Sequence, residues 1–514
     1  MKINSSILSV CVTLFLIIPV NYANAQKEPS KESASSGKQR LSNPIVDTGQ
    51  VKCYDNSKEI PCRKTGQPFY GQDAQYAGNA PSYQDNGDGT VTDHNTGLMW
   101  SKAVDERKVS LNEASKLAPR MTFGEYSDWR VPNIKELYSL MNFRGYTGFR
   151  KRGSGSEAPA NAIPFINTDY FDFKYGNVNA GERYIDAQWL SSTKYVSTTM
   201  EGEETLFGVN FADGRIKGYG YQRPGRSREK KFYVRYVRGK LYGENDFVDN
   251  RDGTISDRLT GLTWMQNDSG KAVSWEEALE LGEGLVHAGY DDWRLPNAKE
   301  LQYLVDYSRS PDTTGSPAIN PIFQTTAILN EAGKKDYPYF WTSTTHLDGP
   351  NPGKNAVYIA FGRALGKMHG RIIDVHGAGA QRSDPKTGRP TSRGPQEDMI
   401  RIKNYVRYVR GGSVKIATTV PSENKSKYPY NVRINQGFGQ NEQRGLTGAS
   451  EPSSNSRSFV GRLDINGDGK ISRSEFDGPH DRFEYHDKNN DGYLTENEAP
   501  KGPPPVRWPG IPKM

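Results

Sequence analysis

The chain says the same thing twice. Residues Asp85–Trp100 read D-N-G-D-G-T-V-T-D-H-N-T-G-L-M-W, and Asp249–Trp264 read D-N-R-D-G-T-I-S-D-R-L-T-G-L-T-W. The phrase D-W-R-V-P-N at Asp128–Asn133 returns as D-W-R-L-P-N at Asp292–Asn297, displaced by the same 164 positions (249 − 85). Y-V-R-Y-V-R-G at Tyr233–Gly239 returns at Tyr405–Gly411, 172 positions on (405 − 233). Solenoid units run about 20–50 residues, so a period this long marks a duplicated domain. Chemistry the protein was built around should use residues present in both copies, and that test sorts the candidates below.

Met1–Ala25 reads as a secretory signal. Lys2 supplies the positive start, Ile7–Val20 the apolar run, and Ala23-Asn24-Ala25 a small-x-small cleavage site before Gln26. The run is shorter than the roughly 20 residues a membrane span needs, and no later segment is as apolar. The expectation is an exported chain with no transmembrane segment, in the periplasm, on the cell surface or outside the cell. A net charge of +7 on 514 residues is mild and does not argue for nucleic acid. Beyond the signal only Cys53 and Cys62 remain. In an oxidising compartment they are expected to close a small disulfide hairpin. A two-cysteine metal site is the alternative, with no histidine nearby to complete it.

Composition divides the chain into a signal (1–25), a polar leader expected to be disordered (26–45) and the disulfide hairpin (46–80). The two repeats follow (81–240 and 241–412), then a Ser/Thr/Asn/Gly-rich linker (413–457), a small module (458–500) and a Pro-rich tail (501–514). Each repeat opens on a tight turn and a short strand. Two helices follow, announced by capping boxes: Ser110 with Glu113 and Asn133 with Glu136, then Ser274 with Glu277 and Asn297 with Glu300. The phrases from Trp189 (W-L-S-S-T) and Trp341 (W-T-S-T-T) then align, strand-like segments follow, and each repeat closes on the Y-V-R-Y-V-R strand. The expected fold class is α+β: two tandem domains plus a small all-α module.

The D-N-x-D-G-T turn, T-G-L-x-W, D-W-R-x-P-N-x-K-E-L, the W-x-S-[ST]-T phrase and V-R-Y-V-R occur in that order in both copies. Together they resemble the Lcl C-terminal domain family. Gly71–Tyr76 with the cysteine pair is similar to a companion segment of such domains. The resemblance implies a secreted or surface bacterial protein concerned with adhesion and with binding sulfated polysaccharides. The element order also resembles the C-type-lectin-like fold, an analogy that carries no function by itself. The Glu-Pro-Asn, Gln-Pro-Asp and Trp-Asn-Asp phrases of calcium-dependent lectins are missing, as are the reactive cysteines of formylglycine-generating enzymes.

The sharpest chemical pattern lies outside the repeats. Asp464–Glu475 (D-I-N-G-D-G-K-I-S-R-S-E) resembles an EF-hand loop at every position. Asp464, Asn466, Asp468, the Lys470 carbonyl, Ser472 and Glu475 offer oxygens at positions 1, 3, 5, 7, 9 and 12. Asp487, Asn489, Asp491, Tyr493, Thr495 and Glu498 repeat the pattern, so two Ca2+ ions are expected. The alternative is an acidic surface turn. Ile471 and Leu494 hold position 8, where paired loops touch as a short strand. The Asp-rich turns of the repeats do not fit that loop, because Val248 would fall at position 1. They read as local turns, with a non-EF calcium site on Asp85, Asp88 and Asp93, or Asp249, Asp252 and Asp257, as the other reading.

Repeated tryptophans are more often core than sugar platforms. Arg235, Arg238, Arg407 and Arg410 recur beside unmatched bases, Arg223, Arg226, Arg228, Lys230 and Lys231 in one copy and Arg401 and Lys403 in the other. Guanidinium forks fit sulfate and carboxylate, which makes these four the candidate ligand arginines; solvated basic loops are the other reading. None of the seven histidines recurs, and no catalytic constellation passes the duplication test. The chain is therefore expected to be a non-catalytic, calcium-binding protein of adhesion type, its tandem domains holding a polyanionic or other glycan. The alternative is a calcium-stabilised assembly module for a cell-surface or periplasmic protein. A glycan-processing enzyme ranks behind both.

Overall fold

The computed structural model describes residues 41–104, 107–149, 157–222, 229–412 and 415–416, and near the C-terminus 460, 468–472, 483 and 486–498. The signal, most of the leader and linker, the Pro-rich tail, Arg223, Arg226, Arg228, Asp464, Asn466 and Glu475 lie outside the described residues.

The α+β expectation is corrected toward β. All four capping boxes form, but the helices they open are short: α1 (Leu111–Leu117), α2 (Ile134–Ser139), α3 (Trp275–Glu283) and α4 (Ala298–Tyr303). A capping box fixes where a helix starts and says nothing of how far it runs. The bulk of each repeat is antiparallel sheet. In the first, Gln188–Thr199, Glu203–Asn210 and Arg215–Gln222 form a meander; in the second, Tyr339–His346, Asn355–Ala360 and Gln381–Pro385 do the same.

The repeats are not two beads on a string. Their meanders join edge to edge into one six-stranded sheet through the Gln381–Ile216 pair, with the Gly218 N–H donating 2.8 Å to the His376 carbonyl beside it. The join removes one exposed edge from each meander, where unpaired backbone groups would otherwise invite aggregation. One apolar cluster runs through both repeats, with Leu137, Phe143 and Trp189 of the first packed with Leu301, Tyr303 and Phe340 of the second.

Two equivalent lysines cross the junction. Lys135 Nζ on α2 donates 2.6 Å to the Tyr303 carbonyl at the end of α4, and Lys299 Nζ on α4 donates 2.8 Å to the Ser139 carbonyl at the end of α2. A cation on the unpaired carbonyls of a helix C-terminus is favourable. Burial pushes both amines down to about 8.

Each repeat also has a small four-stranded sheet, where the last repeated strand pairs with the T-G-L-x-W strand, Val237 opposite Trp100 and Val409 opposite Trp264. Only Val237–Arg238 and Val409–Gly411 are strand; Tyr233 and Tyr405 make single parallel bridges to Trp189 and Phe340 on the large sheet. The phrase therefore stitches two sheets together, which a continuous strand in one sheet could not do.

That bridge corrects one alignment. The Leu190 N–H bonds the Tyr233 carbonyl as the Trp341 N–H bonds the Tyr405 carbonyl, so Trp189 matches Phe340, not Trp341. Side chains alternate faces along a strand, and a slip of one changes the face. Accordingly, Trp189 and Phe340 share the common core while Trp341 packs in a second cluster with Trp275.

Candidate functional site

Cys53 and Cys62 form the expected disulfide, beneath a hairpin of Cys53–Tyr54 and Glu59–Ile60. The segment after it lies against the second repeat and carries a carboxyl that sequence reasoning passed over. Asp73 is buried, and its Oδ2 accepts from the hydroxyls of Thr48 (2.8 Å) and Thr344 (2.5 Å). Burial, reinforced by the Asp47 charge, pushes it up to about 7. The folded protein thus holds a proton that an unfolded chain releases near 4, and the stability this group contributes is lost as pH rises through about 7. Asp73→Asn keeps an acceptor with no charge. It is expected to raise the melting temperature at pH 8 and to raise it less at pH 5, as thermal melts of both proteins at the two pH values will show.

Arg235 and Arg407 leave the ligand set. They are 0 % and 1 % exposed. Arg235 donates to the carbonyls of Ser101, Lys102 and Asp172 and lies between Phe171 and Trp189. Arg407 does the same with the carbonyls of Met265, Gln266 and Gln324, beside Phe323 and Phe340. No carboxylate balances either guanidinium at hydrogen-bond distance among the described residues, and burial pulls them down to about 9 and about 10. They recur because each ties the T-G-L-x-W hairpin to a loop the sheets do not reach.

Arg238 and Arg410 stay at the surface in matching sites. Arg238 Nε donates 2.6 Å to Asp128 Oδ1 and its guanidinium carbon lies 3.8 Å from the Tyr126 ring centre. Arg410 Nε donates 2.5 Å to Asp292 Oδ1, 3.6 Å from the Tyr290 ring centre. Tyr126 and Tyr290 are 38 % and 42 % exposed, among the few large apolar rings in contact with solvent. Both Nη atoms of Arg410, and Nη2 of Arg238, have no acceptor among the described residues. The tyrosines were missed, although their spacing to the repeated Asp-Trp-Arg phrase is the same in both copies.

Three of the flanking bases among the described residues are engaged locally. Lys231 pairs with Glu113 at 3.1 Å, Arg401 with Glu331 at 2.7 Å, and Lys230 lies over Tyr219. Arg130 and Arg294 grip Glu136 and Glu300 through two bonds each and brace the capping boxes. Trp100, Trp129, Trp189, Trp264, Trp293 and Trp341 are all buried. In the Asp-rich turns, Asp88 and Asp252 accept from the N–H and hydroxyl of Thr90 and Thr254, and Asp85 and Asp249 from Gly87 and Arg251 N–H.

Where the repeats meet, a buried polar seam has no counterpart in the duplication. Arg215 Nη2 donates 2.7 Å to Asp348 Oδ2 of the other repeat, and Asp213 Oδ2 lies 3.4 Å from Arg215 Nη1. His376 meets Asp398 at 2.8 Å, with Arg382 on the other carboxylate oxygen. Burial pulls His346 to about 3 and His376 to about 4, so both rings are neutral at pH 7.

In the C-terminal module, Ile471 pairs with Leu494 in a two-residue ribbon, and both are fully buried. Asp487 Oδ1 accepts from the Asp491 N–H (3.2 Å) and Oδ2 from the Gly492 N–H (2.9 Å), curling the loop around that carboxylate. Gly469 and Gly492 take the left-handed conformation at the sixth loop position (φ 80° and 82°). Glu498 Oε2 accepts from the Thr495 N–H and hydroxyl. The donor set of this half-loop is all oxygen, which suits a hard cation. Among the described residues no three His, Cys, Asp or Glu side chains are gathered closely enough to hold a metal, and no helix is long and apolar enough to cross a membrane.

The model of the Lcl C-terminal domain matches residues 89–238 and again 253–373, more than half of the chain. No curated protein and no solved structure matches it. The chain belongs to the Lcl C-terminal domain family, with the domain present twice.

Proposed function

We propose that this fused pair of Lcl C-terminal domains is an exported, non-catalytic binding protein that holds a polyanionic polysaccharide through two equivalent surface sites, with calcium stabilising its C-terminal module. The observation that carries the reading is the Tyr126–Arg238–Asp128 cluster and its twin, Tyr290–Arg410–Asp292. Of the four recurring candidate arginines, these two alone keep guanidinium edges at the surface. Each is held flat on an aromatic face by its carboxylate, so little side-chain freedom remains to be lost when an anion binds. The Nη edge fits sulfate or carboxylate groups, and the exposed tyrosine offers a rim for a sugar ring.

Calorimetric titration of the full chain with a heparin oligosaccharide long enough for one cluster is expected to give two binding events per chain. The affinity should fall as salt rises, because exposed charge contacts are screened over about 10 Å at 0.1 M. Uncharged dextran is expected to give no heat. Absence of binding to either polymer would end the glycan reading and favour the assembly-module alternative.

The calcium part rests on two loops with the EF-hand spacing, joined by the Ile471–Leu494 ribbon. Loops this close, with Pro500 directly after the second, favour a structural affinity of roughly 10⁻⁴–10⁻³ M. Titration with Ca2+ alone is expected to show two ions per chain in that range. Asp464→Ala with Asp487→Ala should abolish both. Binding at about 10⁻⁵ M or tighter, the range of sensors and buffers, would contradict the structural role.

A further inference from the structure

The junction between the repeats has two faces related by the duplication, and only one of them is filled. On the filled face the segment Ile45–Gln50 runs across the ends of α2 and α4. The Asp47 carbonyl accepts from Lys299 Nζ (2.9 Å), the Thr48 carbonyl from the Phe143 N–H (2.8 Å), and the Gln50 side chain brackets the Thr345 backbone with two bonds. The Thr344 hydroxyl, which accepts the Ala298 N–H at the start of α4, donates to Asp73.

The other face is an open cleft of about 370 Å³, within the range of ligand sites. Lys135, Thr193 and Tyr307 line it, in the places of Lys299, Thr344 and Phe143. The Thr193 hydroxyl accepts the Ile134 N–H (3.0 Å) as Thr344 accepts that of Ala298, but what stands before it is the cleft, not a carboxyl. Lys135 reaches Tyr303 and Asn245 Oδ1, where Lys299 reaches Ser139 and the Asp47 carbonyl. The Asp306 carboxylate, also in the lining, is turned onto the N–H and hydroxyl of Ser308.

We propose that this cleft binds an extended peptide segment of a partner protein that presents a side-chain carboxyl or carboxamide to Thr193, as Ile45–Gln50 and Asp73 together do on the opposite face. The protein itself shows the mode of binding in two pieces: main-chain carbonyls of Ile45–Gln50 on an amine and an N–H, and the carboxyl of Asp73, from a neighbouring segment, on a threonine. The site is separate from the two tyrosine–arginine clusters, and the inference stands whether or not those bind a glycan.

The probe is a fluorescent hexapeptide with the sequence of Ile45–Gln50 (I-V-D-T-G-Q), titrated against the full chain and followed by polarisation. Saturable binding is expected, at least ten-fold weaker to Thr193→Val and retained by Thr193→Ser. A peptide with alanine for both Asp and Gln is expected to bind at least ten-fold more weakly. Melting curves identify a Thr193→Val protein that has lost its fold; the double-alanine peptide then decides alone. No saturation at millimolar peptide, or equal binding to folded Thr193→Val, would overturn the proposal. So would displacement of nothing by the peptide where an oligogalacturonate binds and depends on Thr193, since the site would then be one for acidic sugars.

Discussion

Replacing Arg235 by alanine is expected to destabilise the protein by roughly 3–5 kcal/mol, because three buried carbonyls lose their donor and a void opens between Phe171 and Trp189. Arg407→Ala should cost a similar amount for the same reason, with Met265, Gln266 and Gln324 as the stranded acceptors. Against a total stability of about 5–15 kcal/mol, either loss is a large fraction. Lysine is a poor substitute, since one ammonium cannot spread a planar fork over three carbonyls. Urea unfolding followed by tryptophan fluorescence reads the effect. Arg238→Gln and Arg410→Gln, at the surface, are expected to leave the midpoint almost unchanged. If the inner and outer arginines behave alike, the division between scaffold and surface roles is wrong.

Breaking the seam is the second large effect. Arg215→Ala removes the buried partner of Asp348 and leaves it the Arg393 guanidinium at 3.0 Å and the Thr147 hydroxyl, so the expected cost is about 2–3 kcal/mol, below that of a fully stranded buried charge. Asp348→Ala leaves Arg215 with Asp213 as its nearest carboxylate. In a double-mutant cycle the two should couple by about 2–3 kcal/mol, because each residue's cost depends on the presence of the other. The pair spans the repeats, so the coupling measures how far they fold as one body. A coupling near zero would mean that the two halves of the six-stranded sheet are held by their separate cores.

Much of this architecture is legible in the residues. The capping boxes, the Ser110 and Asn133 starts with their twins, the disulfide, the core tryptophans and the local role of the Asp-rich turns follow from patterns with short range. A cap needs only the next three residues, and an Asx turn only the next two. What the duplication test could not supply is anything that happens once. The pairs Arg215–Asp348 and His376–Asp398 lie at the seam between the repeats, where a residue need not recur to be important. Asp73 lies outside the repeats altogether.

The test also misread recurrence at Arg235 and Arg407. A residue kept in both copies satisfies a need common to both, and here that need is a set of unpaired carbonyls. Burial separates these two from Arg238 and Arg410, which sit three positions later in the same phrase. Sequence does not carry that distinction, because the phrase leaves one sheet and enters another between them. The slip at Trp189 and Trp341 has a related cause. Identical letters aligned the phrases one position away from the register that the backbone bonds to Tyr233 and Tyr405 set.

The most direct test of the account is the salt concentration at which the full chain elutes from a heparin column, with and without the Arg238→Gln and Arg410→Gln substitutions together. Wild-type protein is expected to be retained and the double variant to elute at clearly lower salt, with its melting temperature unchanged. Elution of both proteins at the same salt, or passage of wild-type protein unretained, would contradict the assignment of the two tyrosine–arginine clusters as the binding surface.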